Sequence, residues 1–164
     1  MFRVMRREKQ QLPESEALDI LKNSTTCTLA LSGDNGYTYS LPINYAYIYG
    51  NIYFHCAKQG HKIDAIRQNN KISLSIIAND EIISEKFTDK YKSVIVFGDA
   101  QILEDENEIK SVCKALAKKL CPDESIQNII KETEKFKNQT AVVKIIPRHI
   151  TGKEGLEFYK LRSK

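Results

Sequence analysis

The sequence predicts a mainly β fold with peripheral helices, in which six antiparallel strands close into a small barrel. Three observations predict it. Short runs alternate apolar with polar or hydroxyl side chains, the period of a half-buried strand. Turns at Asn35-Gly36 and Gly50-Asn51 leave too little chain for the crossovers that parallel strands require. Few segments carry a helical period, so the strands must bury one another's faces, and closure into a barrel achieves that.

Pro13 suits the first turn of a helix, and Ala17, Leu18, Ile20 and Leu21 give the stretch from Pro13 to about Lys22 an apolar stripe. The period then shortens, and Thr26 to Leu31 reads as the first strand. Gly33-Asp34-Asn35-Gly36 is a hairpin signal, because Asn and Gly tolerate positive φ. Tyr37 to Ile48 reads as one long strand with an irregularity at Pro42, which cannot donate to a ladder. Ile52 to Cys56 is the third strand, and His61 to about Gln68 a short helix with Ile63 and Ile66 inward. Lys71 to Ala78 and Ser93 to Leu103 are strands four and five, joined by a polar connection and with a bulge expected at Gly98. Asp105, followed by Glu108, caps a long amphipathic helix that Pro122 ends. Asp123 or Ser125 caps another that carries Ile126, Ile129 and Ile130, and Ala141 to Ile146 is the last strand. The 164 residues form one domain without repeats or a linker, and 154–164 are a charged tail.

The charge balance is 25 Lys and Arg against 21 Asp and Glu, a net +4 with the signs interspersed. It suits an anionic small molecule and lacks the arginine-rich stripe of a nucleic-acid binder. No apolar run reaches the roughly 18 residues of a membrane span, and the first residues lack the apolar core of a secretory signal. Cys27, Cys56, Cys113 and Cys121 form no C-x-x-C pair and read as free thiols, so the expected location is the cytoplasm.

Chemistry concentrates in three stretches: Ser40 to Tyr45, Tyr53 to Ala57, and Gly60-His61-Lys62. The last joins a strand end to a helix start, where orphan N–H groups, the helix dipole and a lysine favour a phosphate. On the residues alone a solvated helix cap is the commoner use of such a turn, since strand-loop-helix junctions with one Gly and one Lys are frequent. Neither a Walker loop nor G-x-G-x-x-G is present. His55, Cys56 and His61 lie close in sequence, but no fourth ligand has zinc-site spacing, and His55 and Cys56 face opposite sides of one strand, so no metal is expected. Tyr37, Tyr39, Tyr45, Tyr47, Tyr49 and Tyr53 suit packing or an interface better than base stacking.

In order and spacing, Leu41-Pro42-Ile43-Asn44-Tyr45, Ile52 to Ala57, Gly60 to Asp64, Glu85 to Thr88, Ser93 to Gly98 and His149 to Lys153 resemble the pyridoxamine 5′-phosphate oxidase-like FMN-binding split-barrel superfamily. The similarity is greatest to its Nim branch, named for 5-nitroimidazole reductases. The resemblance implies a Greek-key split β-barrel, working as a homodimer with FMN at the subunit interface. Pro42, Ile43 and Asn44 would line the isoalloxazine ring, His55, Cys56 and Ala57 the ribityl chain, and His61 and Lys62 the phosphate. Segments around Phe87 to Ser93 and Ile150 to Thr151 would close the site from the partner. The implied activity passes electrons from NADH or NADPH to a small electrophile such as a nitroaromatic or quinone, with no catalytic residue identified. The alternatives are a non-catalytic flavin-binding or sensing protein and a haem-handling barrel using His55, His61 or His149. The chain ends Leu161-Arg162-Ser163-Lys164 and lacks the family's Arg-Leu-x-Pro substrate motif, which speaks against pyridoxal phosphate synthesis.

Overall fold

The computed structural model describes residues 1–163. Its sheet has seven strands: β1 (Thr26–Ser32), β2 (Thr38–Asn44), β3 (Ala46–Ile48), β4 (Asn51–Ala57), β5 (Lys71–Ile83), β6 (Thr88–Ile102) and β7 (Thr140–Glu154). They pair antiparallel in the order β2-β1-β5-β6-β7-β4-β3. The two edge strands, β2 and β3, are consecutive pieces of one chain segment. The sheet therefore curls on itself and is closed by the bend at Tyr45, giving the split barrel expected. The strand count rises from six to seven because the run from Tyr37 to Ile48 breaks there.

Tyr45 is fully buried, its N–H donates to the Thr25 carbonyl at 2.9 Å, and its hydroxyl donates to the Leu21 carbonyl at 2.9 Å. Its neighbours on the inward parity, Tyr39, Leu41, Ile43 and Tyr47, pack on the barrel core. Packing thus accounts for Tyr39, Tyr45 and Tyr47, whereas Tyr37 and Tyr49 stand exposed at turns. The second hairpin turns on Tyr49 and Gly50, both at positive φ, rather than on Gly50-Asn51.

Five helices surround the barrel: α1 (Glu14–Asn23), α2 (His61–Gln68), α3 (Glu106–Leu120), α4 (Ile126–Phe136) and α5 (Leu156–Arg162). Ala17 and Leu21 of α1, and Ile63, Ala65 and Ile66 of α2, enter the barrel core beside Leu29, Phe54, Val96 and Ile145. On the outside, α3 places Val112 and Leu116 against Ala46, Tyr53 and Val142. Asp105 accepts from the Glu108 N–H at 2.7 Å and Ser125 from the Asn128 N–H at 3.2 Å, as N-caps do.

Two segments differ from expectation. Asn79 to Lys92, expected as a polar connection between strands, is a hairpin arm in which β5 and β6 continue past the barrel to a turn at Phe87. The charged tail carries α5. Lys90 and Lys92 lie over the Phe158 ring, and Arg162 reaches the buried Glu154.

The bulge expected at Gly98 is present, with the β6–β7 register shifting between Phe97 and Gly98. A Cβ at Gly98 would lie 2.8 Å from Ile145 Cγ2 and 2.9 Å from the Ile146 carbonyl oxygen, so only glycine fits without displacing β7. Beside it, Asp99 takes Lys71 Nζ and Arg148 Nε, both at 2.6 Å. Those hydrogen bonds hold the Asp99 carboxyl below its ordinary range. A depressed carboxyl stabilises the fold above its unfolded value of about 4, and that contribution is lost as pH falls through the folded value. The acid-side loss of stability in urea titrations is therefore expected to be shallower in Asp99→Asn than in the wild type. Identical slopes would show that the triad contributes nothing.

Candidate functional site

Strand parity distributes the eight residues singled out in the sequence. On β2 the alternation puts Ile43 in the core at 8% exposure and leaves Pro42 and Asn44 on the outer face. Only the backbone of Ile43 can meet a ligand there. On β4, Ile52, Phe54 and Cys56 point toward the barrel, while Tyr53, His55 and Ala57 point away. His55 and Cys56 thus stand on opposite faces.

The turn from β4 into α2 has the features of an anion cradle. Gly60 precedes the helix at φ +117°, a conformation L side chains rarely adopt, and a Cβ there would meet no other atom within 4 Å. It gives α2 no side-chain cap. Its carbonyl accepts from the Ile63 and Asp64 N–H groups, and among the described residues nothing accepts from the N–H of His61 or Lys62. Two free donors at the positive end of a helix suit a phosphate oxygen.

Lys62 is half-buried, with its Nζ 5.6 Å from the Phe54 ring centroid. Desolvation, and then the Lys62 charge, push the His55 imidazole below its ordinary value. Burial pushes the Cys56 thiol up, against the opposing pull of Lys62. The cysteine is thus disfavoured as a thiolate nucleophile. The structure brings His55, Cys56 and Lys62 into one electrostatic neighbourhood.

His61 is engaged on its other side. Its ring stacks on Tyr39 at 4.2 Å and 15°, and its Nε2 lies 3.3 Å from Asp34 Oδ2 in the β1–β2 loop. Sequence reasoning did not find Asp34, Tyr39 or Phe54 as neighbours of this corner. Tyr39 shares parity with Ile43, a signal that was available, whereas the Asp34 contact depends on how β1 and β2 meet α2 in space.

The third component is a bare sheet face. Outward side chains align across five strands: Pro42 opposite Thr28, Thr28 opposite Ser75, Ser75 opposite Ile95, and Ile95 opposite Thr151. They are mostly small and hydroxyl-bearing, and Ile77 adds an apolar edge at 66% exposure. The helices that bury apolar side chains pack elsewhere, in the barrel core and against β3, β4 and β7.

The three histidines occupy separate surroundings: His55 on the outer face of β4, His61 against Tyr39, and His149 against Phe2. Among the described residues, no group of three or more His, Cys, Asp or Glu side chains could hold a metal. The four cysteines are free thiols, and burial lifts Cys27 to about 12. A cleft of about 620 Å3, bordered by Lys58, Arg67, Ile109 and Lys110, contains none of the eight. No helix among them is long and apolar enough to cross a membrane.

Residues 13–154 match the family model described as pyridoxamine 5′-phosphate oxidase. No curated protein sequence matches the chain. Among solved structures, the chain is similar to a conserved hypothetical protein from Mycobacterium tuberculosis, with a TM-score of 0.79, 20% identity, and coverage of 92% of this chain and 90% of that one. A candidate 5-nitroimidazole antibiotic resistance protein from Bacteroides thetaiotaomicron gives a TM-score of 0.72 at 17% identity, covering 88% and 86%. The FAD-binding protein from Mycobacterium smegmatis gives 0.64 at 22%, covering 88% and 97%.

Proposed function

The chain belongs to the pyridoxamine 5′-phosphate oxidase family, and from that premise we propose that it is a homodimeric flavoprotein that binds FMN and passes electrons from a reduced nicotinamide to a small electrophile such as a nitroaromatic or quinone. The observation that carries this reading is the cradle at Gly60. A left-handed glycine, two unengaged N–H groups and a half-buried lysine converge where a strand ends and a helix begins. The donor set fits a phosphate monoester.

In this reading Lys62 supplies charge to the phosphate, and the His61 and Lys62 N–H groups fix its oxygens. The ends of β4, from His55 to Ala57, offer backbone to the ribityl chain, and Pro42 and Asn44 offer the outer face of β2 to the ring. Asn44 Nδ2 lies 3.4 Å from the Thr25 carbonyl and has a second hydrogen with which to stabilise negative charge beside it. Bound flavin supplies the redox chemistry; the protein sets its orientation, access and electrostatics. The bare face through Thr28, Ser75 and Ile95 supports a second copy as its cover, with the exposed arm tip at Phe87 (99% exposed) and the β7 stretch Ile150 to Thr151 as the partner's contribution.

Two experiments test this. Protein reconstituted with FMN and mixed anaerobically with NADH or NADPH is expected to bleach, and to recover its colour when a nitroaromatic or quinone is added. Yellow colour that persists with both donors would leave a flavin-binding protein without reductase activity. Sedimentation at low micromolar concentration is expected to give a dimer, and a monomer that still holds FMN would contradict the shared site.

A further inference from the structure

Two residues from Ile95 on β6 and two from Thr151 on β7, one row beyond the side chains assigned above to the second copy's cover, lies a group of side chains used by nothing above. Phe97 on β6 and His149 on β7 are direct cross-strand partners with ring centroids 6.3 Å apart. Phe2 lies across both, 4.6 Å from His149 at 6° and 5.4 Å from Phe97 at 24°. Near-parallel rings at these separations are in the stacking range. We propose that Phe97 and His149 form a stacking platform for a small planar aromatic ring, and that Phe2 of the same chain is the ring such a ligand displaces. The assignment of that ligand as a redox partner rests on the flavin reading; its binding does not.

Four observations support a ligand site over a fixed core contact. The platform faces outward, with Phe97 40% and Phe2 44% exposed. Phe2 belongs to a stretch without regular structure, in which no backbone hydrogen bond ties residues 1–6 among the described residues. Along the same row, the positions next to Phe97 are Ser73 and then Ala30, too small to cover its ring. These residues, with Lys71, border a shallow cleft of about 280 Å3 against Phe97. That volume sits at the lower end of ligand pockets, about 300 Å3, and fits one or two fused rings. An electron-poor ring suits the electron-rich face of Phe97, so nitroaromatics, quinones and the nicotinamide ring share the required chemistry.

The test uses flavin-free protein, with 4-nitrobenzoate and N-methylnicotinamide as probes and the His149 ring resonances as readout. Removing a stacked ring in Phe2→Ala should shift the His149 signals before any probe is added. It should also tighten probe binding by about 2- to 12-fold, the worth of one aromatic pair. Phe97→Leu should weaken binding by a similar factor. The probe that binds more tightly identifies the acceptor or the donor as the natural source. His149 signals that do not move with either probe, in wild type and Phe2→Ala alike, would overturn the proposal. FMN titration of the same samples keeps the two readings apart: lost FMN binding with the probe response intact would remove the flavin reading and leave the platform, and the reverse would remove the platform alone.

Discussion

Replacing Arg162 by alanine is expected to destabilise the protein by about 3–5 kcal/mol, because it strands a buried charge. Glu154 ends β7 at 1% exposure, and its Oε1 receives Arg162 Nε at 2.8 Å and Nη2 at 2.6 Å. The same guanidinium donates to the Lys9 and Gln11 carbonyls at 3.3 Å, and Gln10 donates to the Glu154 carbonyl at 3.0 Å. One side chain thus ties α5, the end of β7 and the segment before α1. Urea denaturation would measure the loss. Adding Glu154→Gln to Arg162→Ala should recover part of it, since the orphaned group is then neutral. A loss below about 1 kcal/mol would place the pair with ordinary surface ion pairs.

Lys62→Ala is expected to weaken FMN binding by roughly 10- to 150-fold, the equivalent of about 1.5–3 kcal/mol for a charge-assisted contact in a partly desolvated site. Because the Lys62 ammonium lies over the Phe54 ring, alanine removes that contact and the stem together with the charge. Lys62→Met keeps the stem and loses only the charge, and should lose most of the same affinity. Fluorescence quenching of FMN on titration with flavin-free protein measures both. Unchanged affinity in Lys62→Met would remove the ammonium from the phosphate site.

The parts of this protein legible in the sequence are those fixed by neighbours in the chain. Asp105 with Glu108, Asn35-Gly36, Gly60 before His61 and the bulge at Gly98 are local devices, and each has the structure its chemistry demands. The arm from Asn79 to Lys92 was illegible because both of its faces lie beyond the barrel. Asp80, Glu81, Asp89 and Lys90 therefore carry no alternation to signal a strand. The run from Tyr37 to Ile48 concealed the closure of the barrel: Tyr45 follows the strand period, and only the Thr25 and Leu21 carbonyls reveal that the chain changes partners there. The charged tail gave no sign of its buried end, because the burial of Glu154 depends on Arg162 returning to it. At the candidate site the sequence identifies Gly60, His61 and Lys62, but Asp34 and Tyr39 reach His61 only through tertiary packing.

The claim on which the rest depends is that an FMN phosphate occupies the cradle between β4 and α2. Its most direct test is the identity and stoichiometry of the chromophore held by the purified protein, released by heat and chromatographed. The account predicts FMN at about one per protomer, or uptake to that ratio by colourless protein. A protein that carries none and takes up none, or that holds it equally well without the Lys62 charge, would contradict the account.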